Sequence, residues 1–297
     1  MKKGWLRIDA GVRHMLFASL MFAVMGVFAK LLSQNMPSLE VVFFRNVFGV
    51  FIVAATLLKR PMAHEGGKPW LLFFRGLMGF LALLAFFYNI AHIPLGDAMT
   101  YSKTSPLFTA LFAWVFLREK LGMRGWAALA FGFVGIVLIA KPSGFHLDKS
   151  AWLGLFSGAG AALAYTAVRE LKRYYDTRAI VLSFMGVGTL GPLFLMAISP
   201  YVHDDRFDML FGQFVMPSGI GWGYVVAMGL FATLAQVYMT KAYGATKAGI
   251  VGAVSYSNIL FSILLGLLIG DPLPDLFTWV GIGLVVAAGV TVAGERR

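Results

Sequence analysis

The chain of 297 residues is 59% hydrophobic, has a mean hydropathy of +0.78 and carries charge on only 13% of its positions. Soluble domains run nearer about 45–50% apolar, so a water-soluble globular protein is excluded and an integral membrane protein is implied. The absence of cysteine excludes disulfides and thiolate metal sites, and the net charge of +11 is read as loop lysine and arginine rather than as a nucleic-acid footprint.

The N-terminus, MKKGWLRIDAGVRHMLF, has the basic start of a signal peptide. Its apolar run extends from about Val12 to Leu32, too long for such a leader, and no A-x-A-like site closes it. It is read as a retained spanning helix. A span takes about 20 mostly apolar residues. Ten segments qualify, at roughly 12–33, 38–58, 70–92, 95–117, 123–141, 150–170, 178–199, 219–242, 246–270 and 275–293. The runs are continuous and lack the period-two alternation of a membrane barrel. Lipid offers no partner for backbone polar groups, which leaves helices. The predicted fold is an all-α integral membrane protein of ten transmembrane helices.

Placing the N-terminus in the cytoplasm leaves only Lys141, Lys149 and Arg206 outside. Lys30, Arg45, Arg75 and Lys103 fall within the apolar runs, and the rest of the 25 Lys and Arg lie inside. This bias puts both termini in the cytoplasm. The longest outside loop, Tyr201–Ser218, carries Asp204, Asp205 and Asp208.

Shifting the first half by about 140–153 residues brings elements into coincidence. Val41 and Phe44 fall on Val181 and Phe184, Ala91 on Ala242, Ser105 on Ser257, Glu119 on Asp271, and Trp126 on Trp279. Two units follow, 1–147 and 148–297, each of five spans. An odd span number makes the second unit inverted relative to the first, a transporter architecture with its site near the midplane. The alternative is chance similarity between apolar helices.

Arg75-Gly-Leu-Met-Gly-Phe, then Phe87-Tyr88, Ile93-Pro94-Leu95, Ser105-Pro106-Leu107-Phe108 and Glu119-Lys120-Leu121 resemble the EamA-like branch of the drug/metabolite transporter superfamily. The second half shows the pattern degraded, with Asn258 in place of Pro106 and Asp271-Pro272-Leu273 in place of Glu119-Lys120-Leu121. The resemblance covers the whole chain and implies a secondary carrier working by alternating access, not an enzyme. Family substrates range over amino acids, nucleotide-like metabolites and riboflavin, so the family alone leaves the solute open. The chain has no G-x-x-x-x-G-K-[ST] motif for ATP.

Lys103 is the sharpest candidate. It lies roughly 10 Å into the fourth span at 1.5 Å per residue, where an uncompensated lysine costs about 2.5–3.5 kcal/mol. Pro106 is expected to kink the helix and free the Ser102 carbonyl beside it. Lys103 either meets a substrate carboxylate or phosphate in a cavity, or snorkels and packs on Asp97. Arg45, in the second span beside Asn46, either binds the anion or has a structural role, pairing with Glu40 or helix-end carbonyls. Lys30 and Arg75 are expected to snorkel to opposite interfaces. No Asp or Glu lies at mid-depth, which favours an anionic or zwitterionic substrate and disfavours a buried acid as a proton site, leaving His92 or Lys103 to titrate. Tyr88, Asn89, Tyr101, Tyr165, Tyr256 and Asn258 complete the expected pocket, with Gln236 and Tyr238 nearby. The small-residue surface Gly154–Gly160, and Gly132, Gly135, Gly281 and Gly283, are expected to pack helices within the fold.

The five histidines form no H-x-x-x-H or H-E-x-x-H pair, and no cofactor or metal is expected. The expected partners are a small-molecule metabolite and membrane lipid, not nucleic acid. A coupling ion or counter-substrate, and a monomer or homodimer, stay open. The expected location is the inner membrane. The alternative function is a broad-specificity exporter of amino acids or amphipathic drugs in which Lys103 is only structural.

Overall fold

Apolar runs of this length can satisfy their backbone in lipid only as helices, and helices dominate the structure. The computed structural model describes residues 10–59, 66–117, 122–140, 148–171, 173–201, 208–211, 214–245 and 254–295. Among these run eleven α-helices: α1 (Ala10–Leu32), α2 (Ser38–Lys59), α3 (Pro69–His92), α4 (Leu95–Ser102), α5 (Ser105–Leu117), α6 (Met123–Ala140), α7 (Lys149–Leu171), α8 (Thr177–Ile198), α9 (Ile220–Ala245), α10 (Ser257–Leu268) and α11 (Leu276–Glu295). Six of them, α1, α2, α3, α7, α8 and α9, hold stretches long and apolar enough to cross a membrane, while α6, α10 and α11 are shorter apolar helices. Large apolar side chains cover the exterior, with Leu58 88%, Trp70 82% and Phe51 71% exposed. Such a surface is stable against lipid and not against water.

Helix ends follow local chemistry. Asp148 Oδ1 accepts from the Ala151 N–H at 2.8 Å to start α7. Asp176 does the same for Arg178 at α8, and Asp275 for Thr278 at α11. Hydroxyls inside the spans turn back on their own helix, Thr100 Oγ1 to the Gly96 carbonyl and Thr166 Oγ1 to the Ala162 carbonyl, each at 2.8 Å.

The predicted fourth span is not one helix. α4 stops at Ser102, Lys103 and Thr104 form a turn, and α5 begins at Ser105. Pro106 therefore does not kink a continuous helix. It sits in the first turn of α5, where a missing N–H costs little. Thr104 closes the turn, its Oγ1 donating to the Tyr101 carbonyl at 2.6 Å. A second interruption falls at Tyr256, between helical Val254–Ser255 and α10, without any proline. There Asn258 Nδ2 donates to the Ser19 carbonyl of α1 at 2.8 Å.

α1 lies along α9, α3 along α7, α2 along α8, and α6 along α11, with α10 set beside α1 and α4. The α6–α11 contact depends on two glycines: a Cβ on Gly135 would stand 2.7 Å from the Gly281 carbonyl oxygen. α8 contains Pro192, which has no N–H for the Gly188 carbonyl one turn earlier. Asn46 of α2 supplies the missing donor: its Nδ2 reaches Gly188 O at 3.2 Å and Val42 O at 2.9 Å.

At one end of the bundle α10 finishes in a left-handed glycine, Gly270, with φ +93°. The Asp271 N–H bonds the Gly266 carbonyl at 2.9 Å and the Gly270 N–H bonds Leu267 at 3.3 Å, the paired closure that a glycine at this position permits. That turn aims Asp271 inward. Its carboxylate forms an ion pair with Lys30 of α1 and accepts from the Leu95 N–H at 2.7 Å. Lys30 Nζ also donates to the Ile93 carbonyl at 3.1 Å. Lys30 thus does not snorkel; it joins α1, the α3–α4 turn and the α10–α11 turn. The side chains are only 17% and 11% exposed, so Asp271→Ala strands a shielded ammonium and an amide. The expected loss is about 3 kcal/mol of stability, read as a lowered Tm. Adding Lys30→Met should restore part of it, and an additive double mutant would rule the coupling out.

Candidate functional site

A cavity of about 220 Å³ lies where α1–α4 meet α7–α10. Lys103 and Arg45 line it, as do Tyr165 of α7 and Asn258 of α10. The helix break carries Lys103 there. Its N–H still bonds the Met99 carbonyl at 3.0 Å, and its side chain leaves the helix end toward the cavity rather than continuing along a helix surface.

Arg45 does not pair with Glu40. Glu40 is fully buried and accepts from the Val215 N–H at 2.9 Å. Arg45 Nη1 instead donates to Asn46 Oδ1 at 3.1 Å, and its guanidinium lies 5.7 Å from the Phe184 ring centre. The amide that repairs α8 thus also orients the Arg45 head.

Arg75 overturns a sequence expectation. It does not reach the interface: it is 9% exposed, lines the cavity and sits 4.7 Å from the same Phe184 ring. Its Nε and Nη1, and Arg45 Nε, are buried with no hydrogen-bond partner among the described residues. The signal was present in Arg75-Gly-Leu-Met-Gly79. A Cβ on Gly79 would stand 2.9 Å from Arg75 Nη1 and 2.8 Å from Phe184. One turn along the helix, the glycine clears the volume that the guanidinium and ring occupy.

The other expected residues lie elsewhere. Tyr101 and Tyr256 are buried in the packing around α6 and α11. Each sits two positions before a cavity residue, Lys103 or Asn258, and two helical positions turn a side chain by about 200°. Tyr101 packs on Gly154, where a Cβ would stand 2.5 Å from the ring. Tyr88 and Asn89 belong to a polar cluster at the Asp271 end. The Tyr88 hydroxyl donates to Asp208 at 3.2 Å, its ring stacks on His92 at 3.9 Å, and Lys149 pairs with Asp208. Asn89 Nδ2 donates to the Ser150 carbonyl at 3.0 Å.

The cavity is therefore cationic. Arg45, Arg75 and Lys103 face it, and no acid is among its described lining residues. Ser102, Ser157 and Gln236 add neutral polar groups. The two ends of the bundle differ. The Asp271 end holds the shielded Lys30–Asp271 pair beside the half-exposed Lys149–Asp208 pair. At the opposite end Lys68 donates to Glu170 at 2.8 Å with side chains 49% and 32% exposed. That hydrogen bond raises the Lys68 pKa and lowers that of Glu170, and so exposed a pair adds little to stability. Glu119, the counterpart of Asp271 in the first half, lies outside the described residues.

The model of the EamA-like transporter family matches residues 10–141 and 148–293. A pseudopaline exporter, CntI, of Pseudomonas aeruginosa is 33% identical over 293 residues, covering 98% of each chain. An uncharacterized transporter of Helicobacter pylori is 31% identical over 292 residues, covering 95% of this chain and 94% of its own. A riboflavin transporter of Rhizobium johnstonii is 26% identical, covering 96% and 91%. A solved crystal structure superposes with a TM-score of 0.56 at 20% identity, covering 95% of both chains, which shows a shared fold.

The native chain has no cysteine, so single cysteines report on the cavity directly. Cysteine at 103 or 75 should react readily with a small methanethiosulfonate. Cysteine at 101 or 256 should stay unreacted until the protein is denatured. The reverse pattern would displace the cavity from these residues.

Proposed function

The chain belongs to the EamA-like transporter family and is a multi-pass membrane transporter, not an enzyme; on that premise we propose that it is a secondary carrier for a small organic metabolite bearing a carboxylate or phosphate, or zwitterionic like an amino acid. The observation that carries this reading is the cavity lined by Lys103, Arg45 and Arg75 with no described acid to offset them. A buried cation without a counter-ion is costly, and an anionic solute supplies the missing charge only while bound. Lys103 and Arg45 hold the anion, and Tyr165 and Asn258 contact the remainder.

The proposed mechanism is alternating access by ten spans arranged as inverted units, 1–147 and 148–297, with both termini cytoplasmic in an inner membrane. Its support is the pair of helix breaks, at Lys103–Thr104 and at Tyr256, in positions that the internal alignment equates. Discontinuous helices at corresponding places in two halves mark carrier sites. The shielded Lys30–Asp271 contact, at an end that the Lys/Arg distribution puts outside, favours a form closed to the exterior. The direction we assign is export, following the relative named a pseudopaline exporter.

A second reading is a broad exporter of amino acids or amphipathic drugs with Lys103 only structural. Tyr165, 58% exposed while lining the cavity, would then offer an aromatic wall to lipid-soluble solutes. The volume of about 220 Å³ is below the roughly 300–1,000 Å³ usual for drug-sized ligands and favours the compact metabolite.

A thermal-shift screen of metabolites on the purified protein should find anionic solutes that raise Tm. In proteoliposomes, Lys103→Ala should slow transport of those solutes about tenfold or more, the loss expected for one charged hydrogen bond. Undiminished transport across the anionic panel would falsify the charge assignment. A substrate profile indifferent to net charge would select the second reading.

A further inference from the structure

We propose that four methionines of the cavity form an adaptable apolar wall for the substrate, so that the preferred solutes are compact anions bearing one apolar side chain with no hydroxyl on it. The inference rests on the anion-carrier reading and narrows its substrate class; the cations still hold the charged end.

Met25 of α1, Met99 of α4, Met185 of α8 and Met239 of α9 all line the cavity. They make up 4 of its 21 described lining residues, against 15 of 297 in the chain, so the cavity gathers methionine rather than sampling it. Each comes from a different helix, two from 1–147 and two from 148–297. Phe22 and Phe86 extend the same lining. A thioether is a weak acceptor and never a donor, so this wall offers a hydroxyl little in return for the water it gives up. An apolar group, by contrast, gains about fourfold in affinity for each methylene buried.

The wall also has room to move. Methionine is unbranched, with three rotatable bonds and a polarizable sulfur, and fills irregular space that branched side chains cannot follow. Two of the four end in hollows left by glycines on neighbouring helices. A Cβ on Gly49 of α2 would stand 2.6 Å from both Sδ and Cε of Met185, and one on Gly26 of α1 would stand 2.8 Å from Cε of Met99. The Met185 tip therefore lies back against α2 only because residue 49 has no side chain. That hollow sets the largest side chain the cavity takes. Such a wall follows substituents of different outline, whereas Lys103 and Arg45 require the charge in every case.

The test uses the purified full-length chain and isosteric probes in which a terminal methyl is replaced by a hydroxyl. Butyrate is compared with 3-hydroxypropionate, propyl phosphate with 2-hydroxyethyl phosphate, and norvaline with homoserine, by thermal-shift titration at pH 7.5. In at least one pair the methyl member should bind about tenfold or more tighter. In that series affinity should rise about fourfold per added methylene until the cavity is filled. Gly49→Ala, which drives the Met185 tip forward, should weaken the longest member that binds by about tenfold relative to the shortest. Equal or tighter binding of the hydroxyl member in every pair overturns the inference. Equal loss along the series in Gly49→Ala overturns the role of Met185. If the pairs bind equally yet lose binding in Lys103→Gln, the apolar wall falls and the anion carrier stands. If neutral butyramide binds as tightly as butyrate, the anion carrier falls and the inference with it. No binding by any probe sinks both. The wild-type pairs decide even if Gly49→Ala fails to fold.

Discussion

Lipid cannot hydrogen-bond a stranded backbone group, and this constraint shapes the helix irregularities among the described residues. Among the described residues the helix interruptions carry polar contacts of their own. Thr104 closes the break that follows α4. Asn258, at the second break, ties α10 to α1 through the Ser19 carbonyl. Gly270 lets the last turn of α10 fold back on its own carbonyls. The polar residues of the spans are thus mostly occupied with the backbone, and those that are not stand out.

Three of those that stand out are cations. Asp271 meets Lys30 and Glu40 meets a backbone amide, so these two shielded acids are engaged at one end of the bundle. Arg45, Arg75 and Lys103 then share a cavity with aromatic, serine and amide groups and no described carboxylate. Such an arrangement is poor for static stability. It suits a protein whose cavity is meant to be completed by something that arrives and leaves.

The all-helical membrane character was legible because composition and run length act over whole segments and tolerate local error. Lys103 and Arg45 were legible as cations held inside the bundle because the transfer cost of a charge does not depend on its neighbours. What failed was phase and length. A fourth span read as one helix hides the break at Lys103, and a list of nearby tyrosines ignores that Tyr101 and Tyr256 face away from the residues two positions later. Arg75 was assigned to the interface because snorkelling is the usual fate of an arginine near a helix end. The glycine one turn after it, which leaves room for a guanidinium to lie inward, was the better guide. Lys30 was misplaced for a different reason: its partner, Asp271, is remote in sequence, and no local pattern announces the pair.

The contact between Asn46 and the Gly188 carbonyl bears on how such a chain can change over time. Pro192 alone would be a defect in α8, and Asn46 alone would be an amide buried for no gain. Together they dock α2 on α8 and set the Arg45 head. Neither residue can be lost first without penalty: an apolar residue at 46 leaves the carbonyl unmet, while an ordinary residue at 192 competes with the amide for it. The two positions are therefore bound to drift as a pair, and relatives that lack one should lack the other. A helix irregularity thus works as a ratchet that holds a cavity-lining arginine in place.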